Sequence, residues 1–252
     1  MNLIEKESFK KKLNYTKNIL LQQKEVLKLT KYCIECGKEL SDMAKFCSGC
    51  GKPQDELIEQ KKQEQREEIQ ESTGPAALDL KAGINLIIEV ENYIENAEVT
   101  NKSEFKEMEK RLFSAEKIIN KAKSTDPTVE VLIPGTNVLI NCDKAFAYND
   151  YIGGRLGFDI ACDINMGRAS KVRAFTRAQT NFKTSLDRDP NPEVAFYYAR
   201  AMHEELLVKT GTTIMPQGKL KQEVIEAYQY VIDAWPNSEW AVEARKYQTR
   251  LQ

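Results

Sequence analysis

The sequence predicts an all-α protein. Most of the chain reads as an array of helical hairpins, with a small cysteine-bound module near the N-terminus carried on a helical linker. Three observations predict this. Apolar residues recur three and four positions apart over long stretches, the spacing that lines one face of an α-helix. Two stretches in the last third repeat one pattern of small and aromatic residues and then meet a proline. Four of the 6 cysteines sit in two C-x-x-C pairs.

Composition narrows the class. The chain has 252 residues, 30% charged and 41% hydrophobic, with 37 Lys+Arg against 38 Asp+Glu. So even a balance excludes a surface that clings everywhere to nucleic acid or anionic lipid. No run reaches roughly 18 apolar residues, so no membrane insertion is expected. The opening stretch carries Glu5, Lys6, Glu7, Lys10 and Lys11 and forms no apolar leader. The expected compartment is the cytoplasm, where cysteine pairs stay reduced and serve metals.

Residues 1–30 read as a basic amphipathic helix. Phe9, Leu13, Leu20, Val26 and Leu27 form one apolar stripe, and Lys6, Lys10, Lys11, Lys12, Lys17, Lys24 and Lys28 outnumber Glu5, Glu7 and Glu25. Such a segment is either a solvated helix or one that docks on an acidic surface.

Residues 31–53 hold the cysteines. Tyr32-Cys33-Ile34-Glu35-Cys36-Gly37-Lys38 is echoed by Phe46-Cys47-Ser48-Gly49-Cys50-Gly51-Lys52, so an aromatic-C-x-x-C-G-K pattern occurs twice. Two intervening residues bring both sulfurs to one side of a tight turn, and two such turns supply four thiolates for tetrahedral zinc. Glycine after the second cysteine permits the left-handed backbone that aims amides at sulfur. Tyr32, Phe46, Leu40 and Met43 are the apolar contacts open to so short a unit. The segment resembles the zinc ribbons found near the ends of many bacterial and archaeal proteins, over residues 32–52. Cys33, Cys36, Cys47 and Cys50 are the candidate metal ligands. The expected cofactor is Zn2+, held structurally, because four thiolates leave no open position for water. A four-sulfur iron centre, two disulfides and a redox pair are weaker alternatives. Zinc ribbons often touch nucleic acid, but here Lys31, Lys38, Lys45 and Lys52 face Glu35, Glu39 and Asp42, with no arginine among them.

Residues 54–75 form a charged helical linker. QDELIEQKKQEQREEIQESTG offers only Leu57, Ile58 and Ile69 for burial, and Ser72-Thr73-Gly74-Pro75 closes it. Residues 76–252 then form a helical repeat-like domain. Ala77, Leu80, Ile84, Ile87, Ile88, Tyr93 and Ile94 mark one helix. Phe105, Met108, Leu112, Ala115, Ile118 and Ile119 mark its antiparallel neighbour. Between 128 and 165, Val129, Val131, Leu132 and Ile133 precede Pro134-Gly135, and Val138, Leu139 and Ile140 follow. A hairpin around the Pro-Gly turn is one reading. The favoured one is extended before Pro134 and helical after it, with a kink near Gly153-Gly154.

The clearest repeat lies within residues 170–252. Ala178, Phe182, Ser185 and Pro190 are matched by Val224, Tyr228, Val231 and Pro236, and a new helix follows each proline. This resembles the second-helix half of a tetratricopeptide repeat, where small and aromatic side chains let paired helices close and proline stops the turn. The resemblance implies a helical-hairpin (tetratricopeptide-like) array behind the zinc ribbon. It is interrupted between Lys209 and Lys219, where Gly211, Pro216 and Gly218 replace a tight turn.

Other signals have plain readings. His203, the single histidine, is a packed or surface helix residue. Asp159 and Asp163 are one turn apart and read as a polar helix face rather than an acid–base pair. Gly153-Gly154-Arg155-Leu156-Gly157 lacks the Lys-Ser/Thr of a phosphate loop. Cys142 and Cys162 read as small hydrophobes. Phe196, Tyr197, Tyr198, Tyr228, Tyr230, Trp235 and Trp240 fill helix seams, with a remainder for the concave face on which tetratricopeptide arrays hold peptides.

With no catalytic constellation, the expected function is a non-enzymatic cytoplasmic adaptor. The helical domain grips protein partners, and the ribbon adds a second contact. The alternative is a nucleic-acid-associated regulator that reads through residues 1–53.

Overall fold

The computed structural model describes residues 31–32, 39–40, 46–51, 72–96, 102–163, 166–210 and 217–251. The expected N-terminal helix of residues 1–30, the linker over 54–71, Cys33 and Cys36 lie outside the described residues. The chain divides into two compact units, one of Met1–Ser72 with Gly135–Leu139, which holds the cysteine segment, and one of Thr73–Pro134 with Ile140–Gln252, which holds the helices. The described residues are mostly helical, as the composition predicts.

In the cysteine segment, β1 (Lys31–Tyr32) pairs antiparallel with β2 (Glu39–Leu40). Lys31 sits opposite Leu40 and Tyr32 opposite Glu39.

The helical unit opens on α1 (Pro75–Asn96), with proline at the first helical position, where its missing N–H costs nothing. Ala77, Leu80, Ile84, Ile87 and Val90 are buried along one stripe. Helix α2 (Lys102–Thr125) returns against it, burying Met108, Leu112, Ala115, Ile119 and Ala122. Contact is close: a Cβ on Gly83 would lie 2.6 Å from Ile119 Cγ1.

The segment after α2 corrects the favoured reading of 128–141. Strand β3 (Glu130–Leu132) pairs with β4 (Leu139–Asn141), so the chain is extended on both sides of the Pro-Gly turn. Gly135 has φ +77, the left-handed backbone such a turn requires. The strand persists to Asn141, whose Oδ1 accepts the Lys144 N–H at 3.0 Å and so starts the next helix. That helix, α3 (Cys142–Asp163), runs without interruption through Gly153-Gly154. The glycines there admit close neighbours. A Cβ on Gly154 would lie 2.5 Å from the Phe182 ring.

Helices α4 (Arg168–Arg188), α5 (Pro192–Lys209), α6 (Gln217–Ala234) and α7 (Glu239–Thr249) complete the unit. The repeated positions are core positions: Ala178, Phe182, Ser185, Val224, Tyr228 and Val231 are all buried. Ser185 sits where a small residue was expected, and its hydroxyl donates to the Ala147 carbonyl at 2.7 Å, tying α4 to α3. New helices do follow each proline. The Asn191 side chain accepts the Glu193 N–H at 2.9 Å, and the Ser238 hydroxyl accepts the Ala241 N–H at 3.1 Å. Residues 211–216, within the interruption between α5 and α6, lie outside the described residues.

Each helix packs on the next, and α1, α3, α5 and α7 also pack on one another in turn. Aromatic rings fill the seams. Phe182 and Tyr197 stack with centroids 5.9 Å apart, and Phe196 meets Trp240 at 5.2 Å. Tyr151, Phe175, Phe182, Phe196, Tyr197 and Tyr228 are fully buried, each withdrawing apolar area worth about 1.5–3 kcal/mol. No helix among the described residues is long and apolar enough to cross a membrane.

Candidate functional site

Cys47 and Cys50 lie on one tight turn. The Gly49 N–H donates to Cys47 Sγ at 3.2 Å, and the Gly51 N–H donates to the Cys47 carbonyl at 2.8 Å. Gly51 adopts φ +73, a conformation that a side chain rarely tolerates. A backbone amide aimed at sulfur stabilises thiolate over thiol, which is what a metal ligand needs. Cys47 is 3% exposed whereas Cys50 is exposed. The turn therefore fits half of a tetrathiolate zinc site. Phe46 does not cover it, being 62% exposed. The other half falls between β1 and β2, outside the described residues. Among the described residues no three His, Cys, Asp or Glu side chains converge on one point.

A second constellation lies in the helical unit: a polar seam along the odd-numbered helices. Tyr148 of α3 donates to Glu91 of α1 at 2.5 Å, and Tyr151 of α3 donates to Glu193 of α5 at 2.9 Å. Arg155 donates to the Tyr151 hydroxyl at 3.0 Å, lies 3.8 Å from Asp159, and stacks over the Tyr197 ring at 4.5 Å. Arg200 of α5 pairs with Glu204 at 2.8 Å and stacks over Tyr247 of α7 at 4.1 Å. Each contact between successive odd helices thus contains a polar tie. All of Glu91, Arg155, Glu193 and Arg200 are buried.

Burial sets the charge states. Desolvation pushes Glu91 up to about 7 despite its bond from Tyr148, with Glu95 adding to the rise and Arg155 opposing it. Desolvation likewise pushes Glu193 up to about 7 against the pull of Arg155 and Tyr151, with Glu91 and Glu239 adding to the rise. The sign follows directly. A carboxyl whose folded value exceeds its ordinary value stabilises the fold below about pH 4.5, and that contribution is lost as pH rises through about 7. Each such carboxyl costs the native state about 3 kcal/mol once ionised. Thermal melts of the full chain should therefore fall between pH 5 and pH 8. The Glu91→Gln/Glu193→Gln variant should lose most of that slope, with Asp150, also pushed up by burial, to about 6, supplying the rest and His203, pushed down to about 4, opposing it below about pH 6.5. A wild-type melt unchanged over this range would contradict the buried geometry.

The seam disposes of several sequence signals. Asp159 lies 3.8 Å from Arg155, and the Asp163 side chain lies outside the described residues. His203 is buried, with Nδ1 3.1 Å from the Tyr228 hydroxyl, and burial beside Arg200 and Arg250 pushes it down to about 4. It is a neutral packing residue. Cys142 is buried and Cys162 half-buried. Of the aromatics, Tyr230 is 53% exposed and in edge contact with Trp235. The seam itself was missed. Its available signal was Tyr148, Tyr151, Arg155 and Asp159 at successive helical spacings, sharing a helix with Ile152 and Leu156.

A family model of the zinc-ribbon domain matches residues 32–54, agreeing with the turn at Cys47 and Cys50 and implying zinc binding. Neither a curated protein nor a solved structure matches the chain.

Proposed function

We propose that this chain is a non-enzymatic cytoplasmic adaptor, in which a tetratricopeptide-like stack of helical hairpins captures a protein partner and a zinc ribbon adds a second contact. The observation that carries this reading is the alternation of helix contacts: α1, α3, α5 and α7 pack in succession while α2, α4 and α6 each fill the space between neighbours. Such a stack is a scaffold with two long faces, the architecture repeat proteins use for docking. Its buried charges serve that scaffold. Glu91, Arg155, Glu193 and Arg200 each bond or stack across helices, a placement that fastens the odd layer together.

In the ribbon, Cys33, Cys36, Cys47 and Cys50 hold Zn2+, which shapes the unit and leaves no coordination position for a reacting water. Two weak contacts on one tether raise apparent affinity through effective concentration. Deleting residues 1–53 should therefore weaken capture of the partner from its own cell extract, and weaken the purified complex about tenfold or more. Helical content of residues 76–252 should survive. Loss of that helical signal on deletion would refute the two-module reading.

A further inference from the structure

Charge is segregated between the helix layers. Helix α4 carries six Lys and Arg against the single Asp187, and α2 carries seven against four glutamates. By contrast, α1 has four acidic residues against Lys81, and α3 has four against Lys144 and Arg155. Among the described helices, positive charge is thus concentrated on α2 and α4.

The arrangement within α2 is specific. Lys106, Lys110, Phe113 and Lys117 recur at i, i+4, i+7 and i+11, which places them in one row, and all four are exposed. Phe113 is 57% exposed, and the Lys117 ammonium lies 4.3 Å from its ring centroid. On α4, Arg173 and Lys183 are likewise exposed. The two helices meet at an ion pair of Arg177 with Glu109, 2.5 Å long, so their outer faces adjoin. Among the described residues no carboxylate lies within ion-pair distance of Lys106, Lys110, Arg173 or Lys183.

We propose that the outer face of α2 and α4 binds single-stranded nucleic acid, with phosphates on Lys106, Lys110, Arg173 and Lys183 and an unpaired base on Phe113. Unpaired cations along rigid helices give the sequence-independent attraction of a polyphosphate chain. An exposed ring set among them is the other half of a single-strand site, because every base offers a face to stack. A membrane would demand a broad apolar face, and this row offers one ring. An acidic peptide would satisfy the cations but would gain nothing from a base stacked on Phe113. This activity is additional to partner capture and does not require it. It uses residues other than 1–53, the segment in which the sequence places a nucleic-acid reader.

The test is fluorescence anisotropy of the full chain with a labelled single-stranded RNA of about 20 nucleotides. Binding should weaken at least tenfold between about 50 and 200 mM salt. Lys106→Glu/Lys110→Glu/Arg173→Glu/Lys183→Glu should abolish it, and Phe113→Ala should weaken it about tenfold while sparing any binding to duplex. Should the fourfold variant lose its circular dichroism signal, Phe113→Ala and the salt titration of the parent decide the matter alone. No binding at low salt overturns the proposal. So does binding that ignores these substitutions yet vanishes with residues 1–53, or equal affinity for an acidic peptide or anionic vesicles with Phe113→Ala silent.

Discussion

Cys47→Ser should unfold residues 32–54 and leave the helical unit melting as before. The expectation rests on the size of the segment. Apart from the cysteines its large apolar residues are Tyr32, Ile34, Leu40, Met43 and Phe46, and Phe46 is largely in solvent. Hydrophobic burial of that extent yields a few kcal/mol at most. Metal binding in comparable peptides supplies about 10–16 kcal/mol and is inseparable from folding. Losing one thiolate opens the coordination sphere and strands the Gly49 N–H, which now points at Cys47 Sγ. Amide resonances of residues 32–54 in a two-dimensional NMR spectrum should collapse to the unfolded region. Chelation of the parent chain should do the same. The thermal melt followed by helical circular dichroism should shift by no more than a degree or two. Dispersed ribbon resonances in Cys47→Ser would show that something other than metal folds the segment.

Arg155→Leu carries the second large effect, at about 3–5 kcal/mol of stability at pH 8. Arg155 is buried between Asp159, the Tyr151 hydroxyl and the Tyr197 ring, with Glu193 bonded to that same hydroxyl. Removing the guanidinium leaves acidic groups in low dielectric with no compensating cation, and an unmatched buried charge is more costly than a missing pair. The melting temperature should fall by about 10 °C, given the sensitivity of a unit this size. The loss should shrink at pH 5, where Glu193 holds its proton, and adding Glu193→Gln should restore part of it at pH 8. A double-mutant cycle reads that coupling directly. A loss below about 1 kcal/mol, unaffected by pH or by Glu193→Gln, would mean that Arg155 reaches water in solution.

These two sites were unequally legible in the sequence. The cysteine turn was readable because metal geometry constrains spacing directly, and a doubled aromatic-C-x-x-C-G-K pattern has few other uses. The helices were readable where an apolar stripe has one partner. Ala77, Leu80, Ile84 and Ile87 announce a buried face, and Ala178, Phe182 and Ser185 announce another. The polar seam was opaque for a physical reason. A charged residue on a helix is normally solvated, and only the packing of α1, α3 and α5 turns Glu91, Arg155 and Glu193 inward. The same ambiguity hid the start of α3. Val138, Leu139 and Ile140 suit a strand or a helix, and the choice falls to the Asn141 cap and the left-handed Gly135. Glycine pairs often mark bends, and the letters give no sign that Gly154 here admits the Phe182 ring. The basic row on α2 was present in the letters, but its exposure emerges only once the opposite stripe is seen to be buried.

Native mass spectrometry of the reduced full chain bears most directly on whether a metal organises the front of this molecule. One zinc ion per chain is the predicted stoichiometry, falling to none when Cys33, Cys36, Cys47 and Cys50 are all replaced by serine. A parent chain that carries no ion, or a four-serine variant that keeps it, would contradict the assignment.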